Sequence, residues 1–184
     1  QGANSLLLLR AHDWDHNKLG WSQLRLHGVY AFANAPVRHV AVSDDCAQLA
    51  VAGTRGVALC CLRGGGDKWR LFGNVQHERG MHCCGLFWWG NDVLCVAVRD
   101  PATLAYELVC FSRAHLDNGA VLHRETLPGR PLCADTDEAG GVLVLHFLHR
   151  IVLYRAECQG DADVFDDVAF RLTPVEDVEL PRHD

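Results

Sequence analysis

Basic residues never accumulate in this sequence. Its 17 Lys and Arg are scattered singly against 23 Asp and Glu, for a formal net charge of −6, so no basic stripe follows a phosphate backbone and nucleic acid is not the expected partner. Long apolar runs are missing too. The longest, Val142 to Tyr154, is broken by His146, His149 and Arg150 and falls short of the roughly 20 residues of a membrane-spanning helix; no transmembrane segment is expected. Leu6 to Leu9 follow no basic cluster and the first residue is Gln1, which reads as a piece of a longer polypeptide rather than a secretory signal. No Cys-x-x-Cys pair, Gly-x-Ser-x-Gly elbow or Walker glycine-lysine loop occurs. Zinc ribbons, α/β-hydrolase nucleophiles and P-loop phosphate sites therefore lack their local signatures. Helical periodicity is scarce.

What is present is apolar and segmented. The 184 residues are 49% hydrophobic, enough for one domain with a substantial core. Nine cysteines, an odd number, sit mostly inside apolar runs; there they act as small buried hydrophobes, as suits a reducing, cytosolic setting. Turn residues cut the chain into strand-sized runs. Val37 to Ser43, Gln48 to Gly53, Val57 to Leu62 and Lys68 to Phe72 form a first set. Cys84 to Trp89, Val93 to Val98, Tyr106 to Ser112 and Val121 to Thr126 form a second. Leu132 to Thr136, Val142 to Leu148, Ile151 to Ala156 and Val164 to Leu172 form a third. These sets start near positions 37, 84 and 131, a spacing of 47 residues, each first strand being followed by an acidic turn.

Four strands per period of roughly 40 to 50 residues predict an all-β, WD40-like partial β-propeller of four-stranded antiparallel blades. A β-sandwich also has evenly spaced short strands, but the repetition favours the propeller. Leu6 to Leu9 and Trp21 to Leu26 add half a blade, for about three and a half in all. The expected division is a half blade at 1–27 and blades at 28–80, 81–128 and 129–184. The remaining blades would lie outside these residues.

The densest stretch, Lys68 to Ala97, holds three of the five tryptophans, the only methionine, Met81, and the triplet His82, Cys83 and Cys84. Adjacent strand residues point to opposite faces, so Cys83 and Cys84 cannot readily share a tetrahedral zinc, nor can Cys60 and Cys61. The same alternation puts one of Trp88 and Trp89 between blades and the other on the opposite side. His12 and His16 have the spacing of helical zinc ligands but flank Asp13, Trp14 and Asp15 in a hairpin turn. Trp14-Asp15 has neither strand context nor a second copy one period on. Arg63 to Asp67 is a hairpin turn. The acidic groups Asp135, Asp137, Glu138 and Asp161, Asp163, Asp166, Asp167 lack the glycine and closing glutamate of a calcium loop and read as solvated turns. No catalytic, cofactor-binding or metal-ligating residue is assigned, no cofactor is expected, and no residues are assigned to a partner surface.

The run Lys68-Trp69-Arg70-Leu71-Phe72-Gly73-Asn74, with Met81, Gly85-Leu86-Phe87-Trp88-Trp89, Asn91-Asp92 and Leu116-Asp117-Asn118, resembles the amino-terminal propeller region of the ribosome control protein one family. The similarity runs with gaps from about Trp21 to Cys158, and its specific part is Lys68 to Asp92. Gly90 stands as an extra residue, and the acidic end from Gln159 matches little.

The resemblance implies a non-enzymatic scaffold or interaction segment in the larger subunit of a guanine-nucleotide exchange complex. That complex would act on a Golgi Rab-family GTPase in retrograde endosome-to-Golgi and intra-Golgi transport. It further implies a smaller arrestin-like partner subunit and a cytosolic location, peripheral on the Golgi membrane. Alternatives are a generic coat or tethering propeller, or a fragment of a propeller hydrolase. The hydrolase would need paired carboxylates facing a central channel, whereas the acids here fall mostly in turns.

The cysteine pattern yields a first prediction: protein purified without added metal carries all nine thiols reduced and no zinc. Thiol titration with elemental analysis checks it, and stoichiometric zinc contradicts it.

Overall fold

The computed structural model describes residues 4–13, 18–63, 68–72, 78, 80–160 and 168–181. Strands β1 (Ser5–Asp13) and β2 (Lys18–Arg25) pair as a two-stranded antiparallel ribbon. A short helix, α1 (Gly28–Asn34), leads into β3 (His39–Val42), β4 (Gln48–Ala52), β5 (Val57–Cys61) and β6 (Lys68–Arg70), a sheet ordered as in sequence. The second sheet is β7 (His82–Trp89), β8 (Val93–Arg99), β9 (Tyr106–Ser112) and β10 (Val121–Leu127). The third is β11 (Cys133–Asp137), β12 (Val142–Phe147), β13 (Arg150–Gln159) and β14 (Ala169–Glu179). Every pairing is antiparallel between sequence neighbours. This is a partial β-propeller of four-stranded antiparallel blades, as the repeat predicts.

The core explains the stacking. Along β8, Val93, Cys95 and Ala97 enter the cluster shared with the third blade, while Leu94, Val96 and Val98 enter the cluster shared with the first. Both faces of the strand are apolar and both are covered. β4 repeats the scheme, with Leu49 and Val51 facing the β1–β2 ribbon and Ala50 and Ala52 facing the second blade. Three clusters thus fill three spaces between successive sheets. Burial of each Val or Leu side chain is worth roughly 1.5–3 kcal/mol. On the ribbon's outer face Leu7, Leu9 and Trp21 are 71%, 48% and 69% exposed.

Hydrogen bonds join the blades through equivalent turns. The Asp45 backbone N–H donates to Asn91 Oδ1 at 2.7 Å, linking the turn after β3 to the turn after β7. Gly90 lies at φ 53° in that second turn. A Cβ there would stand 2.5 Å from the Glu138 carboxylate of the next blade's turn, so the residue that looks inserted in the sequence is the one that admits this close approach.

Two elements depart from expectation. Helix α1 falls where no helix is predicted; its buried Tyr30 accepts a hydrogen bond from the Gly53 N–H at 2.9 Å and lies 3.2 Å from the Val51 carbonyl to which its hydroxyl donates. A Cβ on Gly53 would stand 1.7 Å from the Asn34 carbonyl. Tertiary anchoring thus sets a two-turn segment whose own propensity is weak, and the helix stops just before Pro36. The last strand occupies Ala169–Glu179 rather than Val164 to Leu172; residues 164–167 lie outside the described residues. Blade starts at His39, His82 and Cys133 are also unequally spaced, because the connections between sheets differ in length.

Trp88 and Trp89 are both buried, one on each side of the second blade. Trp88 Nε1 donates to the Ala41 carbonyl at 3.3 Å, and the Trp89 ring packs 5.9 Å from Phe170. Trp69 is half-buried, its Nε1 donating to Arg25 O at 3.0 Å. We predict that Trp88→Ala and Trp89→Ala each cost about 3–5 kcal/mol, Trp69→Ala less, and Trp21→Ala almost nothing. Urea denaturation midpoints of the four variants check this ordering.

Candidate functional site

Alternating strand direction sends the connections to two rims. The links between second and third strands, and those between sheets, emerge at one, here the upper rim. The links between first and second strands, and between third and fourth, emerge at the lower rim.

Charged side chains line both. Among the described residues the upper rim carries Arg25, Arg38, Arg55, Arg99, Arg130 and Arg150 alongside Glu78, Asp100, Glu107, Glu125, Asp177 and Glu179. The lower rim carries Asp44, Asp45, Asp92, Asp117, Asp137 and Glu138 against Arg63, Lys68 and Arg113. Lower-rim acids are committed to structure. Asp45 accepts from Ser43 Oγ at 2.6 Å, from the Ala47 N–H at 2.9 Å and from Arg63 Nη2 at 2.9 Å; these bonds, led by that from Ser43, hold its carboxyl below the usual range. Asp117 caps the turn Asn118–Ala120.

The upper rim also carries exposed apolar side chains. Val29 and Phe32 on α1, Leu104 between β8 and β9, Leu132 before β11, Leu148 between β12 and β13, and Leu180 after β14 are all exposed, Phe32 at 96%. Exposed apolar side chains grouped on one edge mark an interaction surface.

Two concavities open there and share Arg130 and Leu132. The inner one, about 310 Å³, lies between β7 and β11, with Leu86, Phe87, Ala97 and Ala134 among its walls and His39, Cys84 and Arg130 also lining it. The outer one, about 550 Å³, runs across the third blade past Phe147, Leu148, His149 and Leu180. A bulge in β7 between Cys83 and Gly85 breaks the register beside the inner cavity, the device by which a strand re-aims a side chain.

Arginines act on the ionisable groups at this junction. Burial chiefly, then Arg130 and Arg38, lowers the His39 pKa. Burial raises that of Cys84, while Arg130 and Arg99 pull it down. Arg150 is neutralised by Asp177 at 3.3 Å and Glu179 at 2.8 Å. Arg38, Arg99 and Arg130 form no ion pair with any described residue, although Arg99 stacks over Tyr106 at 5.9 Å.

The residues weighed from sequence are mostly scaffold. Cys83 packs between the first and second blades, its thiol pushed up to about 12 chiefly by burial, while Cys84 lines the inner cavity. Cys60 is buried and Cys61 partly so. No group of three potential ligands suited to a metal occurs among the described residues. Asp135 meets His146 at 2.8 Å, and Asp137 accepts from the Gly140 N–H in its own turn. Trp14, Asp15, His16, Asp161, Asp163, Asp166 and Asp167 lie outside the described residues, as does most of the Arg63 to Asp67 turn; His12 falls in β1. The upper-rim cluster carries no local signal, since its arginines are scattered singly along the sequence, but the strand directions place them together.

Comparisons with known proteins agree with this architecture. Residues 2–183 match the family model of the RIC1 second beta propeller domain. The guanine nucleotide exchange factor subunit RIC1 of Mus musculus is 30% identical over 139 residues, and that of Homo sapiens 28%. Each match covers 75% of this chain and 9% of the relative. A solved Bacteroides fragilis structure, assigned as a 6-phosphogluconolactonase, superposes with TM-score 0.51 at 11% identity over 91% of this chain and 46% of its own. That likeness shows the fold alone.

His39 supplies a pH prediction. A histidine whose folded pKa is depressed binds fewer protons folded than unfolded, so stability rises with pH until it is fully present above the unfolded value near 6.5, and is lost as pH falls below it. Besides its cationic neighbours Arg38 and Arg130, His39 shares the cavity lining with Cys84. The drop in urea midpoint between about pH 7.5 and about pH 5.5 should therefore be smaller in His39→Gln than in the natural protein.

Proposed function

The chain belongs to the RIC1 second beta propeller domain family, and from that premise we propose that it is an interaction scaffold within a guanine-nucleotide exchange factor subunit rather than the exchange centre itself. The observation that carries the reading is the match to curated exchange-factor subunits across three-quarters of the chain. The upper rim supports it with exposed apolar side chains beside Arg130, the kind of surface partners use. Because the chain spans 9% of those relatives, the activity of the whole subunit is part of the proposal.

Under this reading the target is a Rab-family GTPase at the Golgi, in retrograde endosome-to-Golgi and intra-Golgi traffic, and the second subunit is arrestin-like. The protein works from the cytosol, peripheral on the Golgi membrane. Exchange requires binding the nucleotide-free GTPase more tightly than the loaded form and reordering its switch segments. Such selectivity needs a specific interface of well over about 1,000 Å². The two rim concavities are modest against that requirement, so the chain contributes positioning to a site completed by other parts of the complex.

Fluorescent-GDP release from a Golgi Rab distinguishes the possibilities. The isolated chain should leave release unchanged, whereas the complete subunit with its arrestin-like partner should accelerate it. Acceleration by the chain alone overturns the scaffold assignment. A complete complex without effect overturns the exchange reading.

A further inference from the structure

We propose that the groove centred on Arg130 at the upper rim is the docking site for an extended protein segment whose carboxylate side chain is flanked by large apolar ones. The proposal deepens the scaffold reading and rests on it. Complementarity fixes the chemistry of the occupant. Arg130 lines both concavities without an ion pair to any described residue, and Arg38 and Arg99 lie near enough to act on His39 and Cys84 in the inner lining, whereas Arg150 at the outer end is already paired with two carboxylates. An entirely apolar occupant would strip water from these guanidinium groups and return no counter-charge. A bare phosphate would satisfy the charge and leave Leu86, Phe87, Leu132 and Leu148 without cover.

A segment with an Asp or Glu beside Leu-like residues meets both demands. Its carboxylate can take the planar, two-pronged hydrogen bonding that arginine offers. Its apolar neighbours can cover Leu132, Leu148 and Leu180, which are 63%, 70% and 37% exposed. Shape argues against a lipid surface, because the inner cavity is a recess between β7 and β11, which a side chain can enter and a bilayer plane cannot. The outer groove continues from it without a break in lining, through Arg130 and Leu132, so one extended stretch of chain occupies both.

The test uses the natural full-length polypeptide, immobilised to select phage-displayed random peptides of roughly twelve residues, the length of an extended recognition segment. Selected peptides are then measured by fluorescence anisotropy at about 0.15 M salt, beside vesicles of phosphatidylcholine with phosphatidylserine. Recovered peptides should share an acidic residue between Leu, Ile or Phe, and Arg130→Glu and Leu148→Asp should each weaken them about tenfold or more. Arg63→Glu on the lower rim should leave binding unchanged. Both groove positions are exposed, so unchanged denaturation midpoints verify that the variants fold.

Peptides without an acidic residue, or binding indifferent to both groove substitutions, overturn the proposal. So does recovery of no peptide, and vesicle binding lost in the same variants would then reassign the groove to lipid. Intact GDP release by the complex alongside failed peptide selection removes this proposal alone. Peptide binding without exchange removes the exchange reading and leaves the groove.

Discussion

A sheet that is apolar on both faces must be covered on both faces, and the rest of this architecture follows from that. In most antiparallel sheets one phase of the strand alternation is polar and meets water. In β4, β5, β8 and β9 both phases are apolar and almost every side chain is buried. A sheet of this kind is stable only between two others, and successive right-handed twists turn such a stack around a common axis. Neighbouring tryptophans show the rule in one place. Trp88 and Trp89 are consecutive in sequence yet belong to different hydrophobic clusters, so a single dipeptide holds three blades in contact.

Much of this is written in local pattern. Gly, Asp and Asn clusters mark the turns, and the middle strands of each blade fall where the apolar runs lie, because strand burial and turn chemistry are local properties. The cysteine alternation was equally legible, since it needs only the period of a strand. The helix α1 was not: its identity depends on Tyr30 bonding to the backbone of β4 and of the loop that follows it, a contact across more than twenty residues. The site was less visible still. Arg38, Arg99 and Arg130 belong to three different connections, so in the sequence each is a lone cation, and only the strand directions bring them to one rim.

The same folding rule sorts the charge. The overall excess of acid gathers on the lower rim, because turns between first and second strands use Asp and Asn to satisfy backbone N–H groups, as Asp45 and Asp137 do. The acids of the lower rim serve turn geometry, while the arginines of the upper rim are free of that duty. A separation of this kind orients the molecule in an approaching partner's field before any contact is made, and acts on association rate more than on final affinity.

The β1–β2 ribbon, with one face on the first blade and Leu7, Leu9 and Trp21 on the other, has a thermodynamic consequence. Where sheets touch only their neighbours, cooperativity is one-dimensional, and stability is a sum of unit and interface contributions. Within these residues the ribbon shares one interface and the second blade two, so a substitution on the ribbon's inner face disturbs one neighbour while one in the second blade can disturb both. The second blade, gripped from both sides through Trp88 and Trp89, is where one side-chain change reaches both neighbouring sheets.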